Sequence, residues 1–202
     1  NHEVQFGLQY EQRSERGFGI GATQLWRHMR DLANFHINEL DLSNPHLVYD
    51  GNVFMDTVYY DRRYDAGSQR TFDVRLRQKL GLPVDGTDYI NIDSYDFNSR
   101  TISYYDNNGM LKNISLGEDL FDLSLFSADD LLNSGNSYVN YYGYDYMGNK
   151  LTGKPSLDDF LNKTDDNGVF LREIGAFEPI YMAGYIQDKF AFDDLIFNVG
   201  VR

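Results

Sequence analysis

The sequence predicts an α+β protein. Antiparallel strands from the two ends of the chain bracket a small loop-rich domain of short helices and hairpins. Three observations predict this. Apolar and polar residues alternate at 4–13, and again toward the far end at 181–192 and 195–202. Two stretches between them carry apolar stripes at helical spacing. The remainder is rich in Asn, Asp, Gly and Ser, the residues of turns. The implied division is a strand at 1–13, a loop domain at 14–179 and a strand hairpin at 180–202.

In the first strand Val4, Phe6, Leu8 and Tyr10 point one way; Gln5, Gly7, Gln9 and Glu11 point the other. About 9–11 residues is also what a tilted strand needs to cross a bilayer. At the far end Leu195, Phe197, Val199 and Val201 share a face, with Ile196 the exception. Asp193-Asp194 separates this strand from 181–192, which reads as a tight hairpin. Asp188 falls on the same side as Ile186 and Phe190, so the middle strand's faces stay open.

Inside, Thr23 to Ile37 reads as one helix with Leu25, Trp26, Met29, Leu32, Ala33 and Ile37 along its core face. Asn44-Pro45 is placed in the loop that follows. A second helix is predicted from about Gln69 to Leu80, capped by Ser68 and stopped by Gly81 and Pro83. Ser127 and Ser156, each followed three residues later by an acid, predict two shorter helices. Thr101 to Ser115 is a hairpin turning at Asn108-Gly109, and Tyr141 to Leu151 a second one near Gly148-Asn149. No internal repeat is evident.

Composition narrows the function. Net charge is −13, from 31 acidic and 18 basic residues, which argues against nucleic acid and against anionic lipid headgroups as partners. There is no Cys, hence no disulfide, thiolate chemistry or Cys-ligated metal. No apolar run is long enough for a transmembrane helix, which leaves membrane-crossing strands open. The first residues carry no signal-peptide pattern; the chain begins in a strand pattern, as a piece of something longer would.

No chemistry-bearing motif emerges. His2, His28, His36 and His46 lack metal-pair spacing. Asp165-Asp166-Asn167-Gly168 fails as a calcium loop, with Lys163 at the first ligand position and Ile174 at the twelfth. Asp129-Asp130 and Asp158-Asp159 fit helix starts better than acid–base catalysis. Phosphate loops, Ser elbows and zinc signatures are lacking. The reading is therefore non-enzymatic, with no cofactor and no metal. The candidate ligand contacts are Tyr141, Tyr142, Tyr144 and Tyr146, because clustered tyrosines suit sugars or flat ligands; a plain hairpin with cross-strand aromatic pairs explains them as well.

The opening Val4-Gln5-Phe6-Gly7-Leu8-Gln9-Tyr10-Glu11-Gln12-Arg13 resembles an ascending barrel strand of TonB-dependent outer-membrane receptors of Bacteroidetes-type bacteria. Ala183 to Phe190, then Leu195 and Asn198-Val199-Gly200-Val201-Arg202, resemble a later hairpin of the same barrels. The resemblance covers about 30 terminal residues; the middle is similar to their long surface loops. It implies a fragment with a long extracellular region and flanking barrel strands. Such a fragment would take part in nutrient capture and import without transporting alone. The implied partners are an unknown nutrient, the rest of the barrel and plug, and a surface lipoprotein as one option. Cut from its barrel, the open sheet is expected to pack on the loop domain or to self-associate with another copy. Short turns are periplasmic and long loops extracellular in such barrels, so most of the chain would lie outside the outer membrane. A free-standing soluble glycan- or ligand-binding module is the alternative, and requires Val4, Phe6 and Leu8 to be packed inside one monomer. A hydrolase would require two carboxylates facing each other across a cleft.

Overall fold

The computed structural model describes residues 2–202 and is α+β, with short helices among small antiparallel sheets. The two ends of the chain meet in one sheet. Strand β1 (His2–Gln12) pairs with β9 (Ile180–Phe192), which pairs with β10 (Leu195–Val201), in the order β1-β9-β10. This is the arrangement that the alternation predicts. The turn Asp193-Asp194 places Asp193 in the left-handed region, at φ 45°. Just beyond β1 the ladder continues as a neck, with Glu15 and Phe177 exchanging backbone hydrogen bonds of 2.8 and 3.0 Å.

The body lies past this neck. Its centre is the sheet β5 (Tyr89–Asp96), β6 (Thr101–Tyr105) and β7 (Leu111–Ser115). Ile90, Ile92 and Ile102 from its inner face enter a core with Phe72, Leu76 and Leu80 of helix α2 (Thr71–Leu80) and Met29 and Leu32 of helix α1 (Ala22–Leu32). Phe126 joins the core with its ring 4.6 Å from that of Phe72. Helices α3 (Ala128–Leu132) and α4 (Leu157–Asn162) start as predicted. Ser127 and Ser156 each make a reciprocal capping box, with Asp130 and Asp159. Helix α2 ends at Gly81, whose φ of 69° suits a residue without Cβ. Ser68 is not its cap: that hydroxyl donates to Asp65 instead.

Helix α1 stops short of the predicted Ile37. Asn34 turns left-handed at φ 63°, and a single turn of 3-10 helix follows at Phe35–Ile37. The reason is tertiary. The Asn34 amide clamps Ile90, donating to its carbonyl and accepting from its N–H at 2.8 Å each. The Asn34 N–H donates to Asp73 at 3.0 Å. These bonds outweigh one more helical turn. Asp73 is itself fully buried with Arg77, 2.9 Å away, and has His36 Nδ1 at 3.4 Å.

Two predictions of loop or hairpin need correction. Asn44-Pro45 lies within strand β3 (Leu40–Asp50), paired with β4 (Val53–Arg62) across a turn at Gly51. Pro45 follows a register irregularity in a two-stranded ribbon, where a missing N–H is tolerated. The predicted hairpin 141–151 shrinks to one bridge, Tyr144 with Lys150. Tyr141 and Tyr142 are diverted into β8 (Val139–Tyr142), which pairs with β2 (Gly17–Ile20). Finally, three turns share one pattern that reading for long repeats misses. In 106–110, 145–149 and 165–169 an Asp side chain accepts from the N–H groups two and four residues on, ahead of a Gly with positive φ.

Candidate functional site

Two surfaces have no evident role in holding this fold together. The first is the terminal sheet. Directly opposed residues share a face, so the register puts Val4, Phe6, Leu8 and Tyr10 with Met182, Ile186 and Phe190 of β9 and with Phe197, Val199 and Val201 of β10. The result is a largely apolar surface, interrupted by the His2–Asp188 pair. Val4 is 58% exposed, Phe6 81% and Leu8 92%. The other face is polar and tightly fitted: Gln5 opposes Gln187, Glu3 opposes Lys189, and the Tyr185 ring lies where a Cβ on Gly7 would go. Arg202 donates to Gln9 there at 3.1 Å. Asp188, whose face the sequence left open, sits on the apolar side opposite Val4 and Val199, and its carboxylate meets His2 Nδ1 at 3.1 Å.

The second surface is a cleft of about 880 Å³ between the base of the β3–β4 ribbon and the edge of the central sheet. The ribbon supplies His46, Tyr59, Tyr60, Asp61 and Arg62; β5 and the β6–β7 turn supply Tyr89, Tyr105, Asp106 and Asn108. His46 stacks on Tyr59, centroids 4.7 Å apart, and its Nε2 lies 2.8 Å from Asp61. The Arg62 guanidinium lies 4.4 Å from the centre of the Tyr89 ring and donates to the Ile37 carbonyl at 3.2 Å. Asp106 Oδ1 accepts from the N–H groups of Asn108 and Met110. A cleft of this size, lined by aromatics and a few fixed polar groups, has the proportions of a small-ligand site.

The tyrosines singled out in the sequence do not converge. In β8 alternate residues face opposite ways, so Tyr141 is buried while Tyr142 is exposed. The Tyr141 hydroxyl donates to the Arg172 carbonyl at 2.8 Å, and burial pushes its pKa far above the ordinary phenol range. Tyr146 is likewise core, and Tyr144 packs at 6.2 Å from Phe18. Tyr142 lies across Gly17, where a Cβ would meet its ring at 2.6 Å. Sequence reasoning missed the cleft because its walls lie some forty residues apart along the chain. The available signal was the Tyr59-Tyr60-Asp61 and Tyr104-Tyr105-Asp106 runs.

The four histidines serve separate contacts. His28 lies 2.8 Å from the Asp130 carbonyl and stacks on Tyr138, His36 is buried beside Asp73, and the other two meet Asp61 and Asp188. Among the described residues no helix is long and apolar enough to cross a membrane, which says nothing of strands. Comparison with known protein families, characterised proteins and solved structures returns no match for this chain.

Proposed function

We propose that this chain is part of a TonB-dependent outer-membrane receptor, in which β1, β9 and β10 are barrel strands and the body is a surface domain for nutrient capture. The observation that carries the reading is the terminal sheet, largely apolar and exposed on one face and richer in polar residues on the other. Strands of 11 and 13 residues suffice to cross a hydrocarbon layer when tilted. A lipid-facing band and a hydrated interior demand this alternation. The two-residue Asp193-Asp194 turn suits the periplasmic side, and the body between β1 and β9 then projects outward.

On this reading the chain is not an enzyme and does not transport alone. Further strands and a plug complete the receptor, and a surface lipoprotein is a further partner by analogy. The soluble-module alternative lacks its requirement, since Val4, Phe6 and Leu8 are not packed within the monomer. The hydrolase reading gains little from the cleft, where Asp61 is held by His46 and Asp106 by its own turn.

The absence of Cys allows a clean test. Single cysteines at positions 3, 4, 5, 6, 8 and 9, carrying a fluorophore, are placed in vesicles containing a lipid-chain quencher. Quenching that is strong at 4, 6 and 8 and weak at 3, 5 and 9 is expected. Uniform quenching, or none, would end the proposal.

A further inference from the structure

We propose that His36 is an acid-sensitive catch on the root of the β3–β4 ribbon: a proton on its ring frees the ribbon from the body, and the cleft that the ribbon walls opens with it. Such a catch works whether or not the terminal sheet meets lipid.

His36 is buried yet poorly satisfied. Its side chain is wholly excluded from solvent, and neither ring nitrogen makes a well-formed hydrogen bond among the described residues. From α2, Asp73 Oδ2 lies 3.4 Å from Nδ1, but that oxygen already accepts from Arg77 and Gln69 at 2.9 Å each. Asp73 Oδ1 is taken by the Asn34 N–H. From the segment after β4, Tyr64 meets the imidazole edge-on with centroids 5.5 Å apart, and Asp65 is the second carboxylate acting on it. The Gly86 backbone is the remaining polar neighbour. A proton would add a second cation to a buried cluster whose one carboxylate is already paired with Arg77. An unbalanced charge in such surroundings is unfavourable, and moving the group to water relieves it. Burial accordingly holds the His36 pKa below its ordinary value.

What moves with His36 follows from the backbone. It sits in the single 3-10 turn Phe35–Ile37, which begins at the left-handed Asn34. The carbonyls of His36, Ile37 and Glu39 hold the returning end of the ribbon. They accept from the Asp65 N–H at 2.8 Å, the Arg62 guanidinium at 3.2 Å and the Arg63 N–H at 2.8 Å. Farther out Leu42, Val53 and Phe54 are exposed. A two-stranded ribbon has little stability of its own. Its position therefore rests on this root and on the Arg62 contact with the Tyr89 ring.

Hydrogen exchange of the whole 202-residue chain in detergent, read amide by amide by nuclear magnetic resonance and corrected for intrinsic rates, tests the catch at pH 7.5 and 5.5. Between these values histidines titrate and ordinary carboxylates do not. The amides of Ile37, Arg63 and Asp65 should be less protected than those of Phe72 to Leu80 at both pH values. They should lose about tenfold in protection at pH 5.5, the linkage expected one unit below an ordinary histidine pKa. His36→Gln should abolish that loss. His46→Gln, which removes the Asp61 contact on the ribbon itself, should retain it. If His36→Gln does not fold by circular dichroism, a chain with His2, His28 and His46 all changed to Gln decides, and the tenfold loss must persist there. The proposal falls if the three amides keep their protection at pH 5.5, or if His36→Gln responds as the parent does. It falls equally if these amides exchange no faster than those of α2, since the opening is then global, or if the chain with His36 alone shows no loss.

Discussion

The central sheet and the terminal sheet are built from the same pattern and meet opposite fates. In β5 and β6, Ile90, Ile92 and Ile102 alternate with polar residues and are almost wholly buried under α1 and α2. In β1, Val4, Phe6 and Leu8 alternate as cleanly and stay exposed, with no cover among the described residues. Alternation therefore specifies a strand with an apolar side. It does not specify what that side touches. In the body the neighbour is encoded nearby as amphipathic helices. At the termini no described residue supplies it; on the receptor reading proposed above, a hydrocarbon environment does.

Breaking the body should cost most. Phe72→Ala or Leu76→Ala removes a fully buried side chain and should lower stability by about 3–5 kcal/mol. Urea unfolding followed by Trp26, the one tryptophan, reports it. Leu8→Ala should shift the same transition by less than about 0.5 kcal/mol, as for an exposed site. A large loss there would mean that β1 has a packed neighbour after all. Asp73→Ala strands the buried Arg77 guanidinium and should cost about 3–5 kcal/mol by the same measurement.

Leu8→Lys sharpens the contrast. It should leave body unfolding in detergent unchanged, yet cost about 2–4 kcal/mol once the sheet is held in a bilayer. Unfolding from vesicles measures the difference.

A smaller effect comes from pH. Burial holds the His36 pKa below its ordinary value, with Arg77 adding to this and Asp73 opposing it. The folded state therefore keeps His36 neutral while the unfolded chain takes up a proton below about pH 6.5. Stability should be full above that pH and fall as pH drops toward the lowered folded pKa, by at most about 1.4 kcal/mol per unit from this group. Urea midpoints at pH 7.5 and 5.5 should differ less in His36→Gln than in the parent. Capping is a comparably small effect. Ser127→Ala should cost about 1 kcal/mol and the more exposed Ser156→Ala rather less, read as shifts in thermal midpoint.

What was legible in the sequence follows the same division. The existence of strands β1, β9 and β10 and the capping boxes at Ser127 and Ser156 depend on local pattern, and they were readable. The end of α1 was not, because Asn34 answers to Ile90 and Asp73 rather than to its helical neighbours. Strand β3 was hidden by Asn44-Pro45, which reads as a break and is absorbed by irregular pairing. The cleft was illegible because it exists only once residues 46–62 lie against residues 87–109. The tyrosines of β8 looked like a cluster in one dimension and are split by strand alternation in three.

The neck at Glu15 and Phe177 also sets an order of events. β1 and β9 are separated by more than 160 residues, and closing so long a loop in a disordered chain is entropically unfavourable and slow. A folded body shortens that search, because it already holds Arg13 and Pro179 together, 3.2 Å from N–H to carbonyl. Strand β1 is made before β9 and the body between them, and is thus late to find its partner. Until it does, Phe6 and Leu8 are the residues most in need of protection from aggregation.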